Sequence, residues 1–168
     1  MPVPAHTTHL IPEVVIAEHG GAVWGLCRRC CPEPDDAFQE IWARVLGALG
    51  GFDPSGPASL RGWILTIANR HLVDRHRRRV VRGDVVELGD LPWEDPRDET
   101  IDRDRAHRRL EAALAALPGD QRRVVTLHHV HGMDLETIAA TEDVPVGTVK
   151  SRLFRGRARL AEIMGVGR

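Results

Sequence analysis

The C-terminal third of the chain carries a basic segment whose spacing could read duplex DNA. Residues 132–160 form the pattern of two short helices joined by a tight turn from Asp143 to Pro145, which predicts a helix-turn-helix. Four side chains of the second helix stand at positions i, i+1, i+4 and i+5 and therefore share one face: Lys150, Ser151, Phe154 and Arg155. Such a face suits the major groove, which admits a helix and presents a distinct donor and acceptor pattern. The alternative is a solvated basic helix that packs on its neighbour.

Charge alternates in blocks along the chain, although the formal net charge is only -1. Residues 70–82 and 145–159 are basic, whereas residues 83–104 are acidic and contain glycine and proline. This pattern predicts two nucleic-acid contacts joined by a flexible acidic linker. Three arginines flank the face on the second helix of the helix-turn-helix and suit phosphates: Arg152, Arg157 and Arg159.

A cysteine cluster is the weak metal candidate of the sequence. Cys27 and Cys30 have C-x-x-C spacing, Cys31 follows, and His19 lies two turns upstream. A Zn²⁺ site uses such spacing, but a second matching pair is missing. We therefore predict no metal and favour cysteines buried in a helical core, with a metal or redox sensor as the alternative.

The histidines near the helix-turn-helix are a second group that could bind metal, as in a hydrolase: His128, His129 and His131. No carboxylate network accompanies them, so surface histidines are the favoured interpretation. We predict that the protein is not an enzyme and needs no cofactor.

Helical periodicity predicts an all-α fold with two small domains, residues 10–82 and 105–168, separated by the linker at 83–104. The first domain has one apolar stripe between residues 36 and 49 and another from Leu60 to the arginine run. Residues 13–31 are a weaker helix candidate, which Gly20, Gly21 and Gly25 are expected to interrupt. Roughly four helices are expected in the second domain.

Composition excludes several classes of protein. The absence of tyrosine and the presence of only three phenylalanines argue against a large β-sandwich. No stretch of about 18 apolar residues and no secretory leader occur, so the sequence predicts a cytoplasmic protein without membrane insertion. Three clustered cysteines are no framework for disulfides.

Three segments together resemble an extracytoplasmic-function sigma factor of the sigma-70 family, in which region 2 and region 4 are joined by a linker. Residues 36–44, Asp-Ala-Phe-Gln-Glu-Ile-Trp-Ala-Arg, are similar to the helix that binds core polymerase. Residues 60–79 resemble the helix that melts and reads the -10 promoter element. Residues 114–164, with Val-Gly-Thr-Val-Lys-Ser-Arg-Leu-Phe-Arg at 146–155, resemble the domain that reads the -35 element.

The resemblance implies a sigma factor that directs promoter-specific initiation, with core RNA polymerase, promoter DNA and an anti-sigma factor as partners. Polymerase contacts carried over by position are Asp36, Gln39, Glu40 and Arg44. Contacts to the single-stranded -10 element are Phe52, Ser55, Asn69, Arg75, His76, Arg77 and Arg78. Contacts to the duplex -35 element are Thr148, Lys150, Ser151, Arg152, Phe154, Arg155 and Arg159. The alternative is a stand-alone helix-turn-helix regulator that senses metal or redox state through the cysteines.

Overall fold

The structure is a computed structural model that describes residues 11–83 and 101–165, with the backbone alone described for residues 101–104. Seven α-helices make up most of these ranges. No strand occurs within these ranges, in agreement with the predicted all-α class. In chain order the helices are α1 (Pro12–Cys30), α2 (Pro34–Ala48), α3 (Leu60–Arg82), α4 (Ile101–Ala115), α5 (Gly119–Val125), α6 (Leu135–Glu142) and α7 (Val146–Met164). Backbone contacts divide the chain into two units, Met1–Arg78 and Arg79–Arg168.

Helix α1 is continuous, so the predicted interruption by its glycines is wrong. Its apolar residues recur at helical spacing, and five of them are buried: Val15, Val23, Leu26, Cys27 and Cys30. Burying one valine or leucine contributes about 1.5–3 kcal/mol. A glycine inside a helix costs only about 1 kcal/mol relative to alanine. Packing against α2 therefore outweighs the three glycines.

The first unit packs α1 and α2 together through aromatic rings and aliphatic side chains. Phe38 makes edge contacts with Trp24, at a centroid distance of 5.5 Å, and with Trp42, at 6.2 Å. Ser59 begins α3 by accepting a hydrogen bond on Oγ from the backbone N–H of Gly62 at 3.1 Å. Such a cap satisfies one of the four free donors at a helix start.

The second unit contains α4 to α7, the roughly four helices that the sequence predicts. Most of the predicted linker at 83–104 lies outside the described residues. Its first residue, Gly83, follows the end of α3 with φ at +78°, and its last four residues already form the start of α4.

The turn between α6 and α7 has the geometry of a helix-turn-helix. Asp134 caps α6, because its carboxylate accepts hydrogen bonds from the backbone N–H of Thr137 at 2.7 Å and from its hydroxyl at 2.8 Å. Asp143 ends α6 in the left-handed region, with φ at +55°, a conformation that aspartate tolerates better than most residues. Pro145 then stands before the first residue of α7.

Gly156 lets α5 and α7 approach closely. It is buried on α7, and a Cβ atom at this position would lie 2.8 Å from Cγ2 of Val125 on α5. Valine is stiff at χ1, so its methyl group cannot swing away at low cost. The close crossing of α5 and α7 therefore requires glycine at position 156.

We expect Gly156→Val to destabilise the second unit by about 1–3 kcal/mol, the usual cost of overpacking a close contact. Urea denaturation followed by far-ultraviolet circular dichroism measures the loss. Gly147→Ala, on the same helix, is the matched control, because no atom lies within 4 Å of a Cβ built there. A Gly156→Val protein as stable as wild type would contradict the close approach.

Candidate functional site

One face of α7 is exposed along most of its length. Phe154 has 75% of its surface exposed, which is unusual for a phenylalanine. The other three side chains predicted for this face are exposed as well: Lys150, Ser151 and Arg155. The opposite side of α7 is buried through Val149, Leu153 and Gly156. The amphipathic pattern therefore gave the correct orientation of this helix.

The remaining residues of α7 that were predicted to contact DNA differ in their exposure. Arg157 and Arg159 are exposed, while Thr148 is half-buried and donates its backbone N–H to the carbonyl of Pro145. Arg152 is engaged inside the protein, where its Nε lies 3.0 Å from a carboxylate oxygen of Asp120 and its Nη1 lies 2.8 Å from one of Glu142. In this structure Arg152 is an internal ion-pair partner, a role that residue types alone did not reveal.

Helix α3 exposes the basic end that the sequence predicts. His76, Arg77 and Arg78 are exposed, and Arg78 donates a hydrogen bond from Nε to the carbonyl of Asp74 at 3.2 Å. Asn69, by contrast, is completely buried. The predicted contact between its amide and a DNA base is therefore out of reach in this conformation.

The loop before α3 is held in place at both ends. The ring of Phe52 lies 5.3 Å from that of Trp63, and the backbone N–H and hydroxyl of Ser55 donate to Oδ1 of Asp53 at 2.9 and 2.6 Å. These hydrogen bonds lower the pKa of the exposed Asp53 carboxyl. The predicted loop residues Phe52 and Ser55 thus belong to an ordered turn, and Asp53 is the member that the sequence prediction omitted.

The predicted polymerase-binding residues share the exposed side of α2: Asp36, Gln39, Glu40 and Arg44. Arg75, reaching from α3, joins the carboxylates of this region. Its guanidinium lies 3.2 Å from Glu33, 3.1 Å from Glu40 and 3.9 Å from Asp36. Arg75 was predicted to contact DNA, and the structure places it on the acidic side of α2 instead.

Buried His71 is a further member of this cluster that the sequence prediction omitted. Its Nε2 lies 3.0 Å from a carboxylate oxygen of Glu40. Burial, followed by the positive charge of Arg44, nevertheless lowers the pKa of His71, and the opposing effect of Glu40 is smaller. The environment of His71 therefore favours the neutral imidazole at this contact between α2 and α3.

The three cysteines are buried and carry free thiols. Burial is the largest cause that raises the pKa of Cys27 to about 12, and the neighbouring Cys31 and Cys30 add to it. A reactive cysteine needs a lowered pKa, so a thiolate sensor at Cys27 is opposed by this environment. Within residues 11–83 and 101–165, no three histidine, cysteine or acidic side chains are grouped as metal ligands.

The histidines near the helix-turn-helix lie in and beside a π-helical turn, Thr126–Val130. Nδ1 of His128 lies 2.9 Å from the carbonyl of Met133, and the exposed His129 has its pKa lowered by partial burial, His128 and Arg157. His129 is exposed as the favoured interpretation of surface histidines predicts, whereas His128 and His131 are half-buried.

Two family models match the chain, one in each unit. Sigma-70 region 2 matches residues 15–81, and Sigma-70 region 4 matches residues 107–160. In the described part of the chain, no helix is both long and apolar enough to cross a membrane.

Curated relatives and solved structures agree with these matches. The ECF RNA polymerase sigma factor SigE of Mycolicibacterium smegmatis is 32% identical over 157 residues, which are 89% of this chain and 60% of that protein. The ECF RNA polymerase sigma factor SigC of Mycobacterium tuberculosis is 36% identical over 132 residues, 75% of this chain and 67% of that protein. The chain therefore spans 60% of the length of the first relative and 67% of the second.

Similarity of fold extends to a solved structure, the sigma factor RpoE of Bartonella quintana in complex with the anti-sigma factor NepR. The TM-score is 0.71 at 23% identity, with 93% of this chain and 98% of that chain covered. At this identity the match shows the fold alone, whereas the two family models and the relatives at 32% and 36% identity identify the family. The chain belongs to the extracytoplasmic-function sigma factors of the sigma-70 family.

Proposed function

We propose that the protein binds core RNA polymerase and directs initiation at promoters with a -35 and a -10 element. The observation that carries this proposal is the exposed face of α7, where a phenylalanine and two cations surround Ser151 on a helix-turn-helix. The protein acts as a cytoplasmic, non-enzymatic specificity subunit and needs no cofactor.

Helix α7 inserts its exposed face into the major groove of the -35 element. Lys150 and Arg155 can donate hydrogen bonds to guanine edges, and Phe154 can contact a thymine methyl group. Ser151 can donate to or accept from either kind of base edge. Arg159 lies one turn beyond Arg155 and suits a phosphate, whereas Thr148 supports the start of the helix.

The exposed end of α3 and the loop before it serve the -10 element. His76, Arg77 and Arg78 attract the phosphates of the separated strand, which gives affinity that depends on salt but not on sequence. The ordered loop with Phe52 and Ser55 forms the rim of a pocket for an extruded base. Because Asn69 is buried, its amide reaches a base only if the helices around it move apart.

Core polymerase docks on the exposed side of α2. Asp36 and Gln39 offer accessible polar atoms there, since both are exposed and the side chain of Asp36 is 69% exposed. Glu40 also contacts His71 and Arg75, so it joins the docking side of α2 to α3. A protein inhibitor of the anti-sigma class, like the partner in the structure from Bartonella quintana, regulates access to these surfaces.

Transcription in vitro with core polymerase and a promoter library tests the proposal. We expect the protein to select a narrow set of promoters that share two elements at fixed spacing. Core polymerase without the protein is the control for initiation at DNA ends. Transcripts that are the same with and without the protein would contradict a sigma function.

We expect Lys150→Ala and Arg155→Ala each to weaken binding to the selected -35 duplex by about 1–3 kcal/mol, the value of a good bidentate base contact. Fluorescence anisotropy with the labelled duplex measures the loss. Arg28→Ala, which removes a cation from α1 in the other unit, is the matched control. Equal losses on the selected and on a scrambled duplex would show that the two side chains contact phosphates and not bases.

A further inference from the structure

Arg152 stands at the border between the buried and exposed sides of α7. At 100° per residue it lies about 60° from the buried Val149, whereas Arg155 lies about 120° from it. The side chain of Arg152 is only 20% exposed, while Arg155 is exposed and donates a local hydrogen bond from Nε to the carbonyl of Ser151 at 3.3 Å. The two arginines of one helix therefore have different surroundings.

Two carboxylates, buried Glu142 and partly exposed Asp120, connect Arg152 to the rest of the domain. Glu142 is the last residue of α6, and its side chain is 1% exposed. Its Oε2 accepts from Nη1 of Arg152 at 2.8 Å, and its Oε1 accepts from Nε of Arg123 on α5 at 2.6 Å. Asp120, also on α5, lies 3.0 Å from Nε of Arg152. This charge network of two acids and two arginines joins α5, α6 and α7.

The chemistry of this network favours an internal role for its arginines. A buried carboxylate that is not hydrated needs charged hydrogen-bond partners in good geometry. Removing one partner of a buried ion pair strongly destabilises the fold. A guanidinium supplies several donors in a fixed plane, so it fixes the relative orientation of the groups that it joins. The two acids also balance the charge of the two arginines, which leaves Arg152 little net attraction for a phosphate.

We propose that Arg152 and Glu142 are positioning residues for reading the -35 element. They hold α7 against α5 and α6, so that Lys150, Phe154 and Arg155 point to the groove together. This inference rests on the proposed function and replaces the prediction that Arg152 itself contacts DNA.

The test compares binding of the full chain to two duplexes, one selected from a random library by the wild-type protein and one with the same composition scrambled. Loss of one phosphate contact lowers the slope of log affinity against log salt by about 0.9. We expect Arg159→Met, at the exposed phosphate-suited position, to show this lower slope. We expect Arg152→Met and Glu142→Gln to keep the wild-type slope and to reduce the ratio of selected to scrambled affinity at least about fivefold.

Glu142→Gln separates the two roles of Arg152 by the sign of its effect. If Arg152 contacts a phosphate, removing the carboxylate frees its charge and tightens binding to both duplexes. If Arg152 positions α7, the same change lowers discrimination. Glu136→Gln removes an exposed carboxylate from the same helix α6 and controls for the general change in charge.

Arg152→Lys covers the case in which Arg152→Met fails to fold, as judged by circular dichroism. Lysine keeps the charge for a phosphate but cannot bridge Asp120 and Glu142 in the same geometry, so we expect lower discrimination. Wild-type discrimination in Arg152→Lys, a lower salt slope in Arg152→Met, or tighter binding by Glu142→Gln would each overturn the inference. A wild-type chain that does not discriminate between the duplexes would instead overturn the proposed -35 function.

Discussion

The double substitution of Asp36→Lys with Gln39→Lys is expected to abolish co-purification with core RNA polymerase, an affinity loss of at least about a hundredfold, or about 2.7 kcal/mol. Both side chains are exposed on α2, and Asp36 lies 3.9 Å from the guanidinium of Arg75, at the outer limit of an ion pair. Like charges at an interface cost several kcal/mol, whereas an exposed helix position costs little stability. Pull-down with tagged core enzyme measures the loss.

Glu40 is left unchanged in this test, because its contacts with His71 and Arg75 would mix docking with stability. The matched control is Glu13→Lys with Ala17→Lys, which adds the same charge to two exposed positions of α1. The far-ultraviolet circular dichroism spectrum, which reports helix content, should be unchanged in both double variants. Normal polymerase binding by the α2 variant would contradict the proposed docking surface.

Arg122→Met is expected to destabilise the second unit by about 3–5 kcal/mol, because two carbonyls each lose a hydrogen bond from a charged donor that contributes about 1.5–3 kcal/mol. Arg122 is only 1% exposed, and its Nη2 donates to the carbonyl of Leu117 at 2.8 Å and to that of Ala115. These carbonyls stand at and after the end of α4, where no further turn of the helix satisfies them. Methionine fills similar space but leaves them without this donor.

Fluorescence can separate the two units in this experiment. Trp24, Trp42 and Trp63 lie in the first unit, so a Trp93→Phe background makes tryptophan emission a probe of that unit alone. We expect Arg122→Met to lose the helical signal of the second unit at lower urea while the tryptophan transition stays in place. The matched control is Arg157→Met, which changes an exposed residue of α7. Equal stability of the two variants would contradict the capping role of Arg122.

The protonation of Cys27 shows how much the sequence left undecided. Arg28 and Arg29 follow it directly, and such neighbours can lower the pKa of a thiol, so a redox sensor remained the alternative to buried cysteines. In the fold Cys27 is buried, and the loss of water raises its pKa more than nearby charge lowers it. Redox sensing through a Cys27 thiolate is therefore disfavoured, and the favoured interpretation of buried cysteines is confirmed.

The pattern of apolar residues determined the helices and their faces. Val149, Leu153 and Gly156 recur on one side of α7, so local periodicity was sufficient to expose Lys150 and Arg155 on the other. The helix-turn-helix followed from the same signal and from the turn at Asp143. The continuity of α1 did not follow from the sequence. The cost of its glycines is a local property, whereas the packing against α2 that compensates for it depends on the tertiary structure.

The tertiary structure alone decided which charged side chains are available to a partner. Arg75 and Arg152 look equivalent to their neighbours in sequence, yet Arg75 pairs with Glu40, 35 residues away, and Arg152 with Glu142, 10 residues away. Asn69 is also unavailable to a partner, because its side chain is buried. Helical periodicity assigns a residue to a face of its own helix, whereas burial and ion pairing depend on what the other helices bring to that face.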